Sequence, residues 1–230
     1  AHTPRILLLG PTGQLGRELL PLLTRIGEVT PLGRPQFDLC KGPELEALLA
    51  DMSADIIVNA AADTRVDHAE AAPEESLTAN AIAPGLIARA AMRQSALLVH
   101  YSTDYVFAGD APGWRREDDP AQPINAYGRA KFAGEQAVRQ SGAAHFIFRT
   151  AWVYAAHGQN FLRTILRLAR NKPQLDVVDD QWGAPTSAGL IAAASAQAIA
   201  AWLRATPAQR ADMQGTYHLV ASGETSWNGF

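Results

Sequence analysis

The pair with the most chemistry in it is Tyr127 and Lys131, in the stretch Tyr127-Gly-Arg-Ala-Lys131. Residues four apart share one face of a helix, so a phenol and an ammonium spaced this way can point into a single site. An unperturbed tyrosine has a pKa near 10 and is a poor acid–base group at neutral pH. A neighbouring cation favours the phenolate, and bringing the pKa down to near 7 takes roughly 4 kcal/mol of differential stabilisation. Such a group suits proton transfer to or from an oxygen. Taken alone the pair is a common surface pattern. What changes its weight is the preceding stretch Tyr101-Ser-Thr-Asp-Tyr-Val-Phe107, an apolar strand that ends in hydroxyls. A hydroxyl at the carboxyl end of a strand can donate to a carbonyl as negative charge develops on it. Thr103 is the first choice for that role and Ser102 the reserve. Asp104 reads either as a partner for a substrate hydroxyl or as a cap on the turn that follows.

A second constellation opens the chain. Gly10-Pro-Thr-Gly13-Gln14-Leu15-Gly16 follows the apolar run Arg5 to Leu9 and precedes a helical pattern. A dinucleotide pyrophosphate needs glycine at such a turn, because the backbone must bend tightly, let phosphate approach and pack helix on sheet. The helix N-terminus adds free N–H groups and the positive end of its dipole. The spacing is G-x-x-G-x-x-G rather than the commoner G-x-G-x-x-G, and a purely structural turn is the plain alternative. Where an NAD-binding chain would carry a carboxylate, at the end of the second strand, this one has Gly33 with Arg34 beside it. Losing the carboxylate removes repulsion toward a 2′-phosphate, and a guanidinium adds a bidentate partner for it. NADP(H) is therefore expected, with NAD(H) open; a solvated surface charge is the other reading of Arg34. Asp38 and Leu39 fall where an adenine edge could be held, although Asp38 could equally cap a turn.

These residues need elements to hold them. Strands are expected at Arg5–Gly10, Val29–Leu32, Asp55–Ala60, Ala96–Ser102 and His145–Arg149. Helical patterns lie between them, around Leu15 to Leu23, around Leu45 to Leu49, over Pro73–Gln94 and over Tyr127–Gln140. A Pro/Gly/Asp-rich loop is expected from Ala108 to Pro123. This alternation defines an α/β chain with a Rossmann-type, doubly wound parallel sheet, whose chemistry sits at the carboxyl ends of the strands. After Thr150 the alternation loosens into a helix (Asn160–Arg170), a short strand (Leu175–Val178), a long helix (Ser187–Leu203) and a strand (Thr216–Val220). We read residues 1–150 as the dinucleotide-binding domain and 151–230 as a smaller, partly interleaved substrate-binding part.

Composition narrows the class further. A net charge of −3 and the absence of a basic stripe speak against nucleic acid. No apolar run reaches the roughly 20 residues that cross a bilayer. The start carries no signal-peptide pattern, and the single cysteine, Cys40, suits a reducing compartment, so a cytoplasmic protein with a small-molecule partner is expected. The six histidines show no H-x-x-x-H spacing, which makes a zinc enzyme a poor reading.

Six stretches together resemble the extended short-chain dehydrogenase/reductases, and among them the dTDP-4-dehydrorhamnose reductase family. In chain order they are Gly10 to Gly16, Val58-Asn-Ala-Ala-Ala62-Asp63-Thr64, Ser102 to Phe107, Tyr127 to Lys131, Phe148-Arg-Thr-Ala-Trp152-Val-Tyr154 and Asp180-Gln-Trp-Gly-Ala-Pro-Thr186. The resemblance implies reduction of the C4 ketone of a dTDP-linked 4-dehydro-deoxysugar, with Thr103, Tyr127 and Lys131 as the catalytic set. It also places Tyr127 and Lys131 against the cofactor, Ala62, Asp63 and Thr64 along it, and Trp152 and Asp104 near the sugar. Asn80 would support a water relay toward the lysine, or simply kink its helix. Some members hold a metal between acidic residues at a dimer contact; Glu18 is available here, but Ser187-Ala-Gly-Leu190 offers no carboxylate, so no metal is expected. A homodimer is compatible with the family. Members run on beyond the equivalent of Phe230, which implies a further stretch of sugar-binding chain. A regulatory subunit without catalysis and a nucleotide-sugar epimerase are the rival functions on this scaffold.

Overall fold

The computed structural model describes residues 2–110 and 113–230. Ala1, and Ala111 and Pro112 within the expected loop, lie outside the described residues.

Five apolar segments form the strands expected: β1 (Arg5–Leu9), β2 (Glu28–Leu32), β3 (Ile56–Asn59), β4 (Leu97–Thr103) and β5 (His145–Thr150). Between them lie α1 (Gln14–Leu23), α2 (Gly42–Ala50), the short α3 (Val66–Ala71) and α4 (Pro73–Leu77), α5 (Ala83–Arg93) and α6 (Ala126–Gln140). Further on come β6 (Val153–Tyr154), α7 (Phe161–Ala169), β7 (Trp182–Gly183), β8 (Thr186–Ser187), α8 (Ala188–Arg204), α9 (Pro207–Met213), β9 (Gly215–His218) and β10 (Thr225–Ser226). The central sheet has the order β2-β1-β3-β4-β5-β9, and every pairing in it is parallel.

The period-two alternation of each strand separates two cores. Leu7, Leu9, Ile57, Leu98 and Ile147 face α2, α5 and α6, where Leu45, Leu49, Ile87 and Val138 cover them. Ile6, Leu8, Val58, Val99 and Phe148 face the other way, onto Leu19, Leu23, Ile191 and Ile199 of α1 and α8. Helices on both faces make the sheet doubly wound, and buried strands of this kind read as continuous apolar runs. Pro31 is tolerated in β2 because that strand is an edge. The order reverses between β1 and β3. There the glycine turn after β1 and the loop after β3 open a crevice, which is where ligands bind in such sheets.

Two expectations change. The continuous helix over Pro73–Gln94 is interrupted, because a π-helical turn (Thr78–Ile82) separates α4 from α5. Its cause is in the sequence: Pro84 has no N–H to offer the Asn80 carbonyl four residues back. The strand expected at Leu175–Val178 does not form. Strands β7 and β10 pair with each other instead, and the segment keeps one backbone bond, from Asn228 N–H to the Val178 carbonyl. The chain after Thr150 also reaches the main sheet. Its α8 covers one face of the main sheet, and β9 extends that sheet beside β5.

Helix α6 is tied to β5 by a buried ion pair. Arg149 donates from Nε and Nη2 to the two Glu135 carboxylate oxygens at 2.9 and 2.8 Å, and Arg139 adds a third bond at 3.0 Å. Removing one member of a fully buried pair strands the other's charge. Arg149→Leu is therefore expected to cost about 3–5 kcal/mol in urea unfolding, and the double change Arg149→Leu/Glu135→Leu to recover much of it.

Candidate active site

The crevice at the switch point is a cavity of about 520 Å³. Gly10, Gly13, Arg34, Asp38, Leu39, Ala62, Asp63 and Thr64, all expected at a cofactor, line it. Gly10 has φ +81°, and a Cβ there would meet the Ala61 backbone nitrogen at 2.9 Å, so only glycine makes this turn. Gly16 would clash with the Gly10 carbonyl if it carried a side chain, which holds α1 close under the turn. Gly13 caps α1 with no side-chain bond, leaving the first-turn N–H groups for an anion. These features fit a dinucleotide: an anion cradle at a helix N-terminus, and an exposed arginine where the second strand ends.

Gln14, Leu15 and Gly16 do not line the cavity itself. Gln14 accepts a bond from Asn160 Nδ2 at 2.8 Å, and Leu15 packs into the core beside α8. Asp38 takes the capping role left open for it, accepting from the Cys40 N–H at 2.9 Å. Thr12, Phe37, Cys40 and Arg65 also line the cavity, and the sequence reading had not singled them out for it.

The residues expected to be catalytic meet where β4 stops. A one-turn 3₁₀ segment (Asp104–Val106) turns the chain, and Thr103 Oγ1 caps it by accepting from the Tyr105 N–H at 3.2 Å. The same hydroxyl donates to Asp104 Oδ1 at 3.1 Å, and it is hydrogen-bonded to Tyr127. Asn125 caps α6 by accepting from the Gly128 N–H at 2.7 Å, which places Tyr127 in the first helical turn. A side chain at Gly128 would collide with the Tyr105 carbonyl, so the helix start is pressed onto the turn. The Tyr105 ring meets the Tyr127 ring edge-on, with centroids 5.7 Å apart. Ser102, the reserve hydroxyl, points away from this group and lies against Glu135.

The electrostatics differ from the expectation of a phenol depressed by its lysine. Burial pushes the Tyr127 phenol up, and the Asp104 carboxylate pushes it the same way. Lys131 turns from the phenol to bond the Tyr101 carbonyl at 2.6 Å, and burial brings its own pKa down to about 8. The site therefore holds its proton on Tyr127 at neutral pH, the state a proton donor needs. Asp104 is pushed up to about 6, by burial above all.

Trp152, expected near a sugar, is held by close neighbours. Its ring is stacked on Trp227 at 3.6 Å, and Gly183 is pressed so close to it that no Cβ would fit there. Its φ of +45° is a strained value for a large side chain, of a kind that concentrates at functional sites. Asn80 is fully buried, inside the π-helical turn that interrupts its helix. Its amide clasps the backbone of Asp63, donating to the carbonyl at 2.8 Å and accepting from the N–H at 3.1 Å. Glu18 pairs with His157 at 2.7 Å, and no group of three metal-ligating side chains occurs among the described residues. A second cavity, of about 700 Å³, runs along α7 past Asn160, Arg163, Arg167 and Arg170, and contains none of the catalytic set. Asn160 joins it to the glycine turn through Gln14. The polar residue before Phe161 was the available signal, because asparagine is a favoured helix N-cap.

A doubly wound sheet with a dinucleotide crevice at its switch point, and a buried tyrosine, lysine and threonine gathered at the end of β4, describes a pyridine-nucleotide-dependent oxidoreductase. The model of the RmlD substrate binding domain matches residues 4–230, and the chain belongs to that family, the dTDP-4-dehydrorhamnose reductases. It is 45% identical over 226 residues to dTDP-4-dehydrorhamnose reductase of Burkholderia thailandensis, covering 98% of this chain and 76% of that one. The enzyme of that name from Escherichia coli K12 is also 45% identical, over 96% of this chain and 74% of its own length. Among solved structures, dTDP-4-dehydrorhamnose reductase from Bacillus anthracis in complex with NADP superposes with a TM-score of 0.89. It is 33% identical, and the match covers 99% of this chain and 78% of that one.

The raised pKa of Asp104 fixes the sign of a stability effect. Its folded value lies above the unfolded one, so the ionised carboxylate is penalised in the fold as pH rises from about 4 through about 6. Asp104→Asn is expected to raise stability at pH 7 by up to about 3 kcal/mol, a gain that vanishes below about pH 4. Urea unfolding of both proteins across that range measures it.

Proposed function

We propose that the protein reduces the C4 ketone of dTDP-4-dehydro-L-rhamnose to dTDP-L-rhamnose, using NADPH in preference to NADH, in the supply of rhamnose for cell-surface polysaccharide. The observation that carries this reading is the protonated Tyr127 hydroxyl held against Thr103 at the end of β4, in a chain 45% identical to enzymes of that name.

When bound, NADPH supplies the hydride that C4 receives. Tyr127 gives its proton to the C4 oxygen, so the ketone gains hydride and proton and leaves as an alcohol. Thr103 orients that transfer, since its hydroxyl touches both Tyr127 and Asp104 and can turn toward the oxygen as charge builds there. Lys131, held by the Tyr101 carbonyl, keeps donors free for a ribose hydroxyl, and its ammonium favours the phenolate left after proton transfer. The phenolate then regains its proton from solvent. Gly10, Gly13 and the first turn of α1 take the diphosphate, with Ala62, Asp63 and Thr64 along the adenosine.

The parts of 151–230 outside the main sheet, namely α7, the short strand pairs and the Trp152–Trp227 stack, form the sugar-nucleotide side of the site. The arginines along α7 suit a nucleoside diphosphate, as guanidinium does any phosphate. No helix among the described residues is long and apolar enough to cross a membrane. A nucleotide-sugar substrate of this kind belongs to the cytoplasm, where we place the protein, as a single chain or a homodimer. Intact Tyr127 and Lys131 separate this reading from a regulatory subunit, and net consumption of NADPH separates it from an epimerase.

The test follows NADPH oxidation with dTDP-4-dehydro-L-rhamnose, alongside an NADH control. Tyr127→Phe is expected to lower kcat by about 10²- to 10⁴-fold while leaving cofactor affinity in place. In the parent protein kcat should fall as pH rises through about 8, where Lys131 loses its charge. Tight nucleotide binding with no turnover of any 4-keto deoxysugar would overturn the reductase reading in favour of a regulatory subunit.

A further inference from the structure

The adenosine end of the cofactor cavity carries a second arginine for which the glycine-turn pattern has no place. Arg65 lines the same cavity as Arg34. Its side chain is 63% exposed, yet it is held in one geometry. Nε donates to Asp63 Oδ1 at 2.9 Å, Nη2 to Asp63 Oδ2 at 2.7 Å, and the backbone N–H to Oδ1 at 3.1 Å. Asp63 is in turn clasped by the fully buried Asn80 through both its N–H and its carbonyl. An exposed arginine ordinarily loses much rotamer freedom when it engages a ligand. Here a chain of hydrogen bonds running from the π-helical turn has already ordered it. Neither the face of the guanidinium nor Nη1 has a hydrogen-bond partner among the described residues.

Charge decides what such an arginine is for. The cavity wall carries two carboxylates, Asp38 and Asp63, and two guanidiniums, Arg34 and Arg65. An adenosine 2′-phosphate brings up to two negative charges to that wall. With Arg34 alone the wall would be net negative and would repel it. Arg65 brings the wall to neutrality and supplies a planar donor that can bond phosphate oxygens or cover an adenine face. We propose that Arg65 is a cofactor-selecting residue, the second cation that allows this cavity to take an adenosine 2′-phosphate. The proposal rests on the cofactor reading of the cavity and adds to it the residue that separates NADP(H) from NAD(H). If Arg65 served only to tie its loop to Asp63, its loss would affect folding and leave that discrimination alone.

The experiment is calorimetric titration with adenosine 2′,5′-bisphosphate and with adenosine 5′-monophosphate, which needs no turnover. Arg65→Gln and Arg34→Gln are compared with the parent protein. Arg65→Gln is expected to weaken the bisphosphate by about tenfold or more and the monophosphate by no more than about twofold. Retained monophosphate binding shows that the loop is intact. Arg65→Lys, which keeps the charge but not the fork, should fall between. An unchanged ratio of the two affinities in Arg65→Gln overturns the proposal, and so does an equal loss of both ligands that Arg65→Lys fully restores. A parent protein that binds neither ligand overturns the cofactor reading of the cavity itself, a different result from either.

Discussion

The closeness of α6 to the sheet and to the π-helical turn governs the rest of the site. A side chain at Gly134 would run into the Asn80 carbonyl, and one at Gly128 into the Tyr105 carbonyl, so the helix touches backbone at two places less than two turns apart. Only at that distance can Lys131 reach the Tyr101 carbonyl from one turn while Tyr127 reaches Thr103 from the turn before. The Asn80 carbonyl is available for the contact because Pro84 withholds the N–H that an α-helix would have given it. The same asparagine then uses its side chain to hold Asp63. A single irregular turn thereby sets both the depth of the catalytic helix and the position of the loop along the cofactor cavity. Irregular helical turns of this kind are frequent at functional sites.

That depth accounts for the electrostatics. Tyr127, Lys131 and Thr103 are each less than a tenth exposed, and burial penalises whichever form is charged. It drives the phenol and Asp104 upward and the ammonium downward. The result is a resting site with its proton on the tyrosine and a carboxylate close to its own titration. Raising the phenol keeps its proton in place but makes it a weaker acid, so the transfer itself leans on the Lys131 ammonium, which favours the phenolate left behind. Glu135 sits deeper still and remains ionised, because Arg149 and Arg139 answer its charge. The contrast between Asp104 and Glu135 is one of partners more than of burial.

Much of this was readable from the chain. The alternation of apolar runs and helical patterns located five strands and the crevice, because inner parallel strands buried on both faces read as short continuous apolar runs between helical patterns. The Tyr127–Lys131 spacing and the Thr103 hydroxyl at the end of β4 pointed to residues on neighbouring elements, and the fold brings Thr103 and Tyr127 together. The misreadings share a cause. Spacing on a helix shows which side chains share a face, but it does not show that Lys131 finds a carbonyl acceptor on the neighbouring strand before it finds the phenol. The motif around Trp152 marks a special position, yet its stacking partner Trp227 lies 75 residues away in sequence and no local pattern joins them. The short strand expected at Leu175–Val178 failed because strands need partners, and β7 and β10 had taken each other. Pro84, by contrast, was visible, and its effect on the helix before it could have been argued from the missing N–H alone.

Arg65 belongs to a different category, since neither periodicity nor a motif could have found it. It lies just past the stretch that resembles the family pattern, at an exposed position where an arginine would ordinarily be surface decoration. What gives it meaning is third-order: a proline frees a carbonyl, the carbonyl admits a helix, the asparagine that carries it grips a loop, and the loop aims a guanidinium. Each link is a hydrogen bond or a steric contact of modest strength. Their sum is an arginine oriented before any ligand arrives, and preorganised donors recognise phosphate at less entropic cost than mobile ones. The loop along the cavity and the helix that carries Tyr127 and Lys131 therefore depend on the same turn of backbone, so a change there should not be expected to affect one without the other.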